Sequence, residues 1–309
     1  MTAADDGDDR ITRCGYVGLV GRPNVGKSTL LNRLVGQKIS ITSDRPQTTR
    51  HNVLGIFTEG ADQIIYVDTP GQHGTERRAL NRLMNRSARS VLADVDVLLM
   101  LVEAGRWKPD DDLVLDRLLR DRDGAGGRAP LLVINKADML KPPTRLLPFI
   151  DACSRRAQFA EIVPLSATTG QNVDRLLDCI RARLPKAVHL FPADQVTDRS
   201  ERFMVAEIVR EKIMRRVGEE LPHQLTVGIE RYAEEGPTLT IHCQILVERE
   251  GQKGIVVGHK GERLKLAGIE ARRDIERLLD RHIRLELWVK VRGGWSDDER
   301  MLKQLGYED

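Results

Sequence analysis

The sequence predicts an α/β protein, a mainly parallel sheet with helices on both faces, followed by a smaller α+β unit. Three observations predict it. Short apolar runs alternate with helix-period stretches through residues 14–184, the pattern of βαβ units. Residues 185–200 then hold two prolines and no period, which reads as an extended linker. Beyond them the order of elements changes to αββααβ. A length of 309 residues suits two domains, each long enough to bury its own core.

The elements follow in order. Residues 15–20, 53–57, 63–67, 95–102, 130–134 and 161–165 are short and apolar, as strands covered on both faces are. The pair 53–57 and 63–67, joined by a short polar turn, reads as a hairpin. Residues 27–35, 76–93, 110–120, 145–157 and 173–184 carry helical periodicity, and Leu184-Pro185 closes the last of them. In the second part, apolar residues at 203, 205, 208, 209, 213 and 217 give residues 201–217 a helical spacing. Residues 224–232 and 238–247 are β-like across a Glu-Glu-Gly-Pro turn. A short apolar segment (254–257), a turn (258–261), a long helix (262–280) and a strand (283–291) complete the order. The expected domains are 13–184 and 201–307, with 185–200 between them.

Composition excludes several classes. Apolar residues make up 40% and charged residues 31%, a globular balance. No apolar run approaches the roughly 20 residues of a membrane span. The start, MTAADDGDDR, is acidic and is expected to be neither a secretory nor a transit peptide. Cys14, Cys153, Cys179 and Cys243 are far apart with no CxxC. They read as reduced, buried thiols of a cytoplasmic protein and argue against a zinc knuckle or redox pair. Net charge is +3, with +4 in residues 1–200 and −1 in residues 201–309. Any nucleic-acid site is therefore a local patch. No HExxH or GxSxG is present, and the Asp-rich runs 5–9 and 110–112 read as a solvated tail and a helix start.

The strongest motif is Gly21-Arg22-Pro23-Asn24-Val25-Gly26-Lys27-Ser28, a full GxxxxGKS between a strand and a helix, with Thr29 next in that helix. Its glycines let backbone N–H groups wrap phosphate oxygens, and the helix N-terminus adds its dipole. Lys27 is expected to reach the β- and γ-phosphates, and Ser28 to ligate Mg²⁺. Asn135-Lys136-Ala137-Asp138 selects the base. A carboxylate accepts from guanine N1–H and the exocyclic amine, a donor pair adenine lacks, and a buried carboxylate left unpaired by adenine discriminates. Asp138 takes that part, with Asn135 holding the loop and Lys136 lying along the base. Asp68-Thr69-Pro70-Gly71 resembles the DxxG of GTPases, in which Asp68 would hold Mg²⁺ through water and the Gly71 N–H would sense the γ-phosphate. Ser166-Ala167-Thr168 offers backbone to the guanine. Thr48-Thr49 offers a hydroxyl for Mg²⁺, with Thr49 better placed by spacing.

Together GRPNVGKS, QTTRHN, DTPG, NKAD and SAT resemble the translation-factor-type branch of small GTPases, specifically the Era family. The resemblance covers about residues 13–307 and implies a GTPase domain followed by a KH domain. The second domain carries its own signal. Residues 252–261 contain a GxxG loop, Gly258-His259-Lys260-Gly261, in the αββααβ order of a type II KH domain. Such a loop lets backbone approach nucleic-acid phosphates. Residues 249–273 hold seven basic and three acidic residues, a backbone-binding patch in which Lys253, Lys260, Arg263 and Lys265 flank the loop. Aromatic residues are only 4% of the chain, so apolar grooves rather than stacked rings must read bases. Trp288 and Trp295 read as packing residues before base platforms.

The resemblance implies GTP and GDP as ligands, Mg²⁺, and binding of the 3′ region of small-subunit (16S) rRNA during maturation of the 30S subunit by a monomer. It also implies peripheral association with the inner face of the cell membrane. The expected catalytic set is Lys27, Thr49 and Gln72. Gln72 departs from the apolar residue of many relatives and either orients water or points into solvent. Asn24 either holds a potassium ion against the phosphates, as in several relatives, or shapes its loop. The alternative function is a membrane- or division-linked signalling GTPase whose C-terminal domain binds protein.

Overall fold

The computed structural model describes residues 12–43, 48–68, 95–121, 129–218 and 225–305. The expected helix 76–93, the acidic run 5–9, and Thr69, Pro70, Gly71 and Gln72 lie outside the described residues. Six strands form the first sheet: β1 (Arg13–Val20), β2 (Val53–Glu59), β3 (Asp62–Asp68), β4 (Val97–Glu103), β5 (Leu131–Asn135) and β6 (Glu161–Pro164). Their order is β2-β3-β1-β4-β5-β6, parallel throughout except for the β2–β3 hairpin. Period-2 alternation sorts the buried residues into two layers. Leu19, Tyr66, Leu99 and Val133 pack with helices α1 (Lys27–Val35) and α4 (Val173–Arg181). Met100, Val102, Leu132 and Ile134 pack with α2 (Pro109–Asp121) and α3 (Leu146–Ser154). Both faces are covered, so the strands are apolar on both sides. The loops after β1, β5 and β6 leave the carboxyl edge, where Asp68 also ends β3 and where ligands dock in such sheets.

Boundaries differ in places from the sequence reading. β4 begins two residues later than expected. The expected helix 145–157 is a 3₁₀ turn (Pro143–Arg145) leading into α3. α4 stops at Arg181 because the next residues tighten, Arg183 N–H donating to Ile180 O (2.8 Å), ahead of Pro185. The linker holds neither helix nor strand, but it is tied to the sheet edge. Ile56 N–H donates to Val196 O at 2.9 Å. The fully buried Gln63 accepts from Leu190 N–H (2.8 Å) and Phe191 N–H (3.0 Å) and donates to Phe191 O (2.8 Å).

The second part contains α5 (Glu201–Met214), β7 (Leu225–Glu235), β8 (Thr238–Val247), α6 (Glu250–Val257), α7 (Glu262–Leu279), β9 (Ile283–Val291) and α8 (Glu299–Gln304). Its sheet runs β7-β8-β9, antiparallel then parallel. Val205 and Ile208 of α5, Ile241 and Ile245 of β8, and Ala271 and Ile275 of α7 form its core. The apolar segment 254–257 is a corrected element: it is the end of a full helix, α6. The sequence hides that helix behind Gly251 and Gly254, while Gln252 caps it by accepting from Arg249 N–H at 3.1 Å. β7 also runs through the two glutamates assigned to the turn. α8 was not foreseen. It closes over Trp295, which is fully buried with Leu246, Met301 and Leu302. Trp288 lies edge-on to His242 with ring centroids 5.6 Å apart. All four cysteines are free and buried.

Candidate functional site

The loop from Gly21 to Gly26 is shaped by close backbone approach. A Cβ on Gly21 would lie 2.6 Å from Leu101 O, and one on Gly26 2.3 Å from Asn135 Nδ2, both at positive φ. These glycines are required by the protein's own packing as well as by any phosphate. Val25 is fully buried in the core. Asn24 is exposed at φ 65°. The Arg22 guanidinium does not line the cleft. It is buried between Glu103 Oε2 (2.7 Å) and Asp111 Oδ2 (3.3 Å), so only its backbone is offered to the loop. Asp111 is therefore more than a helix-start residue: it is fully buried and anchors the loop. Burial would raise the Glu103 carboxyl, but Arg22 and Lys136 hold it below the usual carboxylate range. Lys27 is buried, and its Nζ donates to Gly21 O (2.9 Å) and Arg22 O (3.1 Å), curled onto its own loop. Burial lowers its pKa, and Asp68 opposes that.

Asp68, the last residue of β3, is fully buried. Its Oδ2 accepts from Ser28 Oγ (2.8 Å), Ser40 Oγ (3.0 Å) and Thr49 Oγ1 (3.3 Å). The Ser28 and Thr49 hydroxyls are 3.0 Å apart. Asp68 Oδ1 is buried and has no partner among the described residues. Burial pushes the Asp68 carboxyl up, while Lys27 and the three hydroxyls pull it back. A bare carboxylate oxygen beside two hydroxyls fits a hard divalent cation that takes its other ligands from phosphate and water. Ser40 was missed because nothing in its local sequence marks it. Asn32 places it, accepting from Ile39 N–H and Ser40 N–H at 2.9 Å each.

The base-side loops are stapled by one side chain. Asn135 is 2% exposed. Its Nδ2 donates to Val25 O (2.8 Å), and its Oδ1 accepts from Lys136 N–H (2.8 Å) and Ala167 N–H (3.0 Å). The Ala167 N–H is thus spent within the protein. Ser166 is buried, and Arg33 donates to the carbonyls of Ala167 and Thr168. Asp138 corrects one expectation: its carboxylate is exposed, carried to the rim by the 3₁₀ turn Ala137–Met139. Asn24, Gly26, Thr29, Thr42, Asn135, Lys136, Asp138 and Thr168 line one cavity of about 680 Å³, the size of a small-molecule site. Pro23, Lys27, Ser28 and Thr49 line its neighbour.

Lys38, Thr42, Thr48, Arg50 and His51 contact the second domain. Glu211 of α5, fully buried, meets Lys38 Nζ (2.5 Å) and accepts from Thr42 N–H (3.3 Å) and Thr42 Oγ1 (3.2 Å). Arg210 donates to Thr48 O, and Arg50 donates to Leu225 O at 2.8 Å. The ring of His51 meets Phe203 edge-on at 5.0 Å. Sequence spacing alone gives no signal for these contacts.

In the second domain the GxxG loop joins α6 to α7 through the 3₁₀ turn His259–Gly261. Gly258, Lys260 and Gly261 all have positive φ, and a Cβ on Gly258 would meet Arg263 Cβ at 2.7 Å. His259, Lys260 and Lys265 are exposed, Lys253 is half-buried, and Arg263 turns inward to donate to Ile255 O. Ile255, Leu266 and Ile269 stand exposed beside the loop.

Residues 16–136 match the model of the 50S ribosome-binding GTPase family, and residues 220–296 match that of the KH domain. The GTPase Era of Ectopseudomonas mendocina is 55% identical over 302 residues, covering 98% of this chain and 99% of that protein. The GTPase Era of Pseudomonas aeruginosa is 53% identical over 310 residues, the full length of both. A crystal structure of Era in complex with MgGDPNP and nucleotides 1506–1542 of 16S ribosomal RNA superposes with a TM-score of 0.90. It is 39% identical and covers 96% of this chain and all of that one. An Aquifex aeolicus Era variant bound to GDP·AlF₄⁻ gives the same figures.

Proposed function

This chain belongs to the Era family of GTPases, and on that premise we propose that it is a slow GTP-hydrolysing switch that binds the 3′ region of small-subunit rRNA and assists maturation of the 30S subunit. The GTPase activity belongs to the family as such. The rRNA target comes from the ligand of the similar Era complex. One observation carries the switch: Thr49 reaches Asp68, while Thr42 and Thr48 on the same stretch of chain reach α5. Whatever holds Thr49 also sets what α5 holds.

The proposed domains are 13–184 for GTP, 185–200 as the tie along the sheet edge, and 201–307 for RNA. The Gly21–Gly26 backbone and the α1 N-terminus cradle phosphate, and Lys27 leaves its loop carbonyls for the β- and γ-phosphates. Ser28, Thr49 and Asp68 would hold Mg²⁺, which when bound offsets charge developing at the β–γ bridge. Asp138 accepts from guanine N1–H and the exocyclic amine. Asn24 would hold a potassium ion against the phosphates, and replacing potassium with sodium would then slow turnover. If Gln72 orients the attacking water rather than pointing into solvent, Gln72→Ala would lower kcat with little change in GDP affinity, and an unchanged rate would remove Gln72 from the mechanism. Lys253, Lys260 and Lys265 take RNA phosphates around the Gly258–Gly261 loop, and Ile255, Leu266 and Ile269 take unstacked bases. The protein acts as a monomer in the cytoplasm, with any contact to the inner face of the membrane peripheral. No described helix is long and apolar enough to cross a membrane.

The test is binding of a labelled 3′-end small-subunit rRNA oligonucleotide with a non-hydrolysable GTP analogue, with GDP and without nucleotide, at two salt concentrations. Tighter binding in the GTP-analogue state supports the switch. Equal binding in all three states detaches the RNA site from the nucleotide. No binding at either salt favours a signalling GTPase whose second domain takes a protein.

A further inference from the structure

We propose that Arg215, carried by the second domain, is a phosphate-binding residue of the nucleotide site. The inference rests on the guanine-nucleotide reading above and adds a residue from outside the GTPase domain. Arg215 follows directly on α5 and lines the same cavity as Asn24, Gly26, Thr29 and the Asn135–Asp138 loop. Its Nε and Nη2 donate to Thr42 O at 3.1 and 2.8 Å. Nη2 donates also to Thr42 Oγ1 (3.0 Å) and Glu211 Oε1 (2.5 Å). These contacts fix the guanidinium plane from one edge. Nη1 has no hydrogen-bond partner among the described residues, and the side chain is 45% exposed. A guanidinium held along one edge keeps its remaining N–H pair in a fixed direction, an arrangement suited to phosphate oxygens.

The surrounding charges favour an anion. Glu211 is shared by Lys38, Lys212 and Arg215, while Asp274 is shared by Lys38 (3.1 Å) and Lys212 (2.5 Å). Arg277 also meets Asp274 at 3.4 Å, so four cations face two carboxylates. Lys38 and Lys212 are taken up between the two acids, and Arg215 is the cation of the four that lines the cavity. Across that cavity stands the N-terminus of α1, which offers partial positive charge to the same ligand. A nucleotide phosphate between them meets donors from both domains, which makes the nucleotide a ligand of the pair of domains rather than of one.

The test is equilibrium binding of a fluorescent GDP and of a fluorescent GTP analogue to the full-length protein and its Arg215→Ala, Arg215→Lys and Arg216→Ala variants. Guanosine is measured by competition. Arg215→Ala is expected to weaken both nucleotides about tenfold at low salt, the effect of losing a charge-assisted contact at a half-exposed site. The deficit shrinks in 0.5 M salt as charges are screened. Lysine restores most of the affinity, and Arg216→Ala, whose guanidinium pairs with Glu270, binds as the parent does. Guanosine affinity stays unchanged in Arg215→Ala. Parent-like nucleotide affinity in Arg215→Ala overturns the inference. So does an equal deficit for guanosine, since a purely positional role would move the uncharged ligand too. A parent protein that binds no guanine nucleotide overturns the reading beneath it instead.

Discussion

Replacing Asn135 with alanine removes three hydrogen bonds that join three loops. The Nδ2 bond to Val25 O (2.8 Å) ties down the phosphate loop, the Lys136 N–H bond (2.8 Å) holds the base loop, and the Ala167 N–H bond (3.0 Å) holds the loop after β6. At 2% exposure the site admits little water to replace them. Each such bond contributes roughly 1 kcal/mol net, so the whole substitution costs about 3 kcal/mol. Part of this falls on folding, because the staple exists without nucleotide. The rest falls on binding, because the nucleotide must then order the loops itself. If all of it fell on binding, affinity would drop roughly 100-fold. The assay pairs a GDP titration with urea unfolding of the nucleotide-free protein, and the two free-energy losses are added. A sum near 3 kcal/mol supports the staple. A sum below about 1 kcal/mol would refute it, since three orphaned buried groups cannot be that cheap.

His51 sets a pH dependence, because burial lowers its pKa to about 4. The folded state therefore rejects a proton that the unfolded chain accepts near 6.5. Stability is full above about pH 6.5 and falls as pH drops toward 4, by about 3 kcal/mol in all from this group. Denaturant unfolding of the parent and of His51→Gln across that window should show a steeper acid loss in the parent, and parallel curves would remove His51 from the account. Asp68→Asn keeps an acceptor for Ser28, Ser40 and Thr49 but removes the charge behind the bare oxygen. Its GDP affinity is expected to respond to Mg²⁺ at least tenfold less than the parent's, which titrations in Mg²⁺ and in a chelator would measure. Lys260→Ala, at an exposed loop position, is expected to weaken RNA binding several-fold and reduce the salt slope by about one. An unchanged slope would place the phosphate contact elsewhere.

Much of the nucleotide cleft was legible in the chain because its information is local. The glycines at 21 and 26, the lysine after them, and the Asn-Lys-Ala-Asp run each sit at the end of an apolar strand, and strand periodicity places all of them on one edge of the sheet. The αββααβ order of the second domain was legible for the same reason, although α6 was read short because glycines mask its period. Side-chain roles that depend on distant partners were not legible. The motif includes Arg22 but does not tell where its guanidinium goes: it is claimed by Glu103 and Asp111, 81 and 89 residues away. Ser40 reaches Asp68 only because Asn32 bends the chain toward it. Glu211 and Arg215 meet Thr42 across a separation of 169 and 173 residues. Residue spacing along one segment fixes backbone shape and which face is apolar, so the sequence by itself determined the two domains, their motifs and the edge where the loops gather. Which charge meets which, and which domain closes over the cleft, is decided by the packing of elements far apart in the chain, and only the tertiary structure contains it.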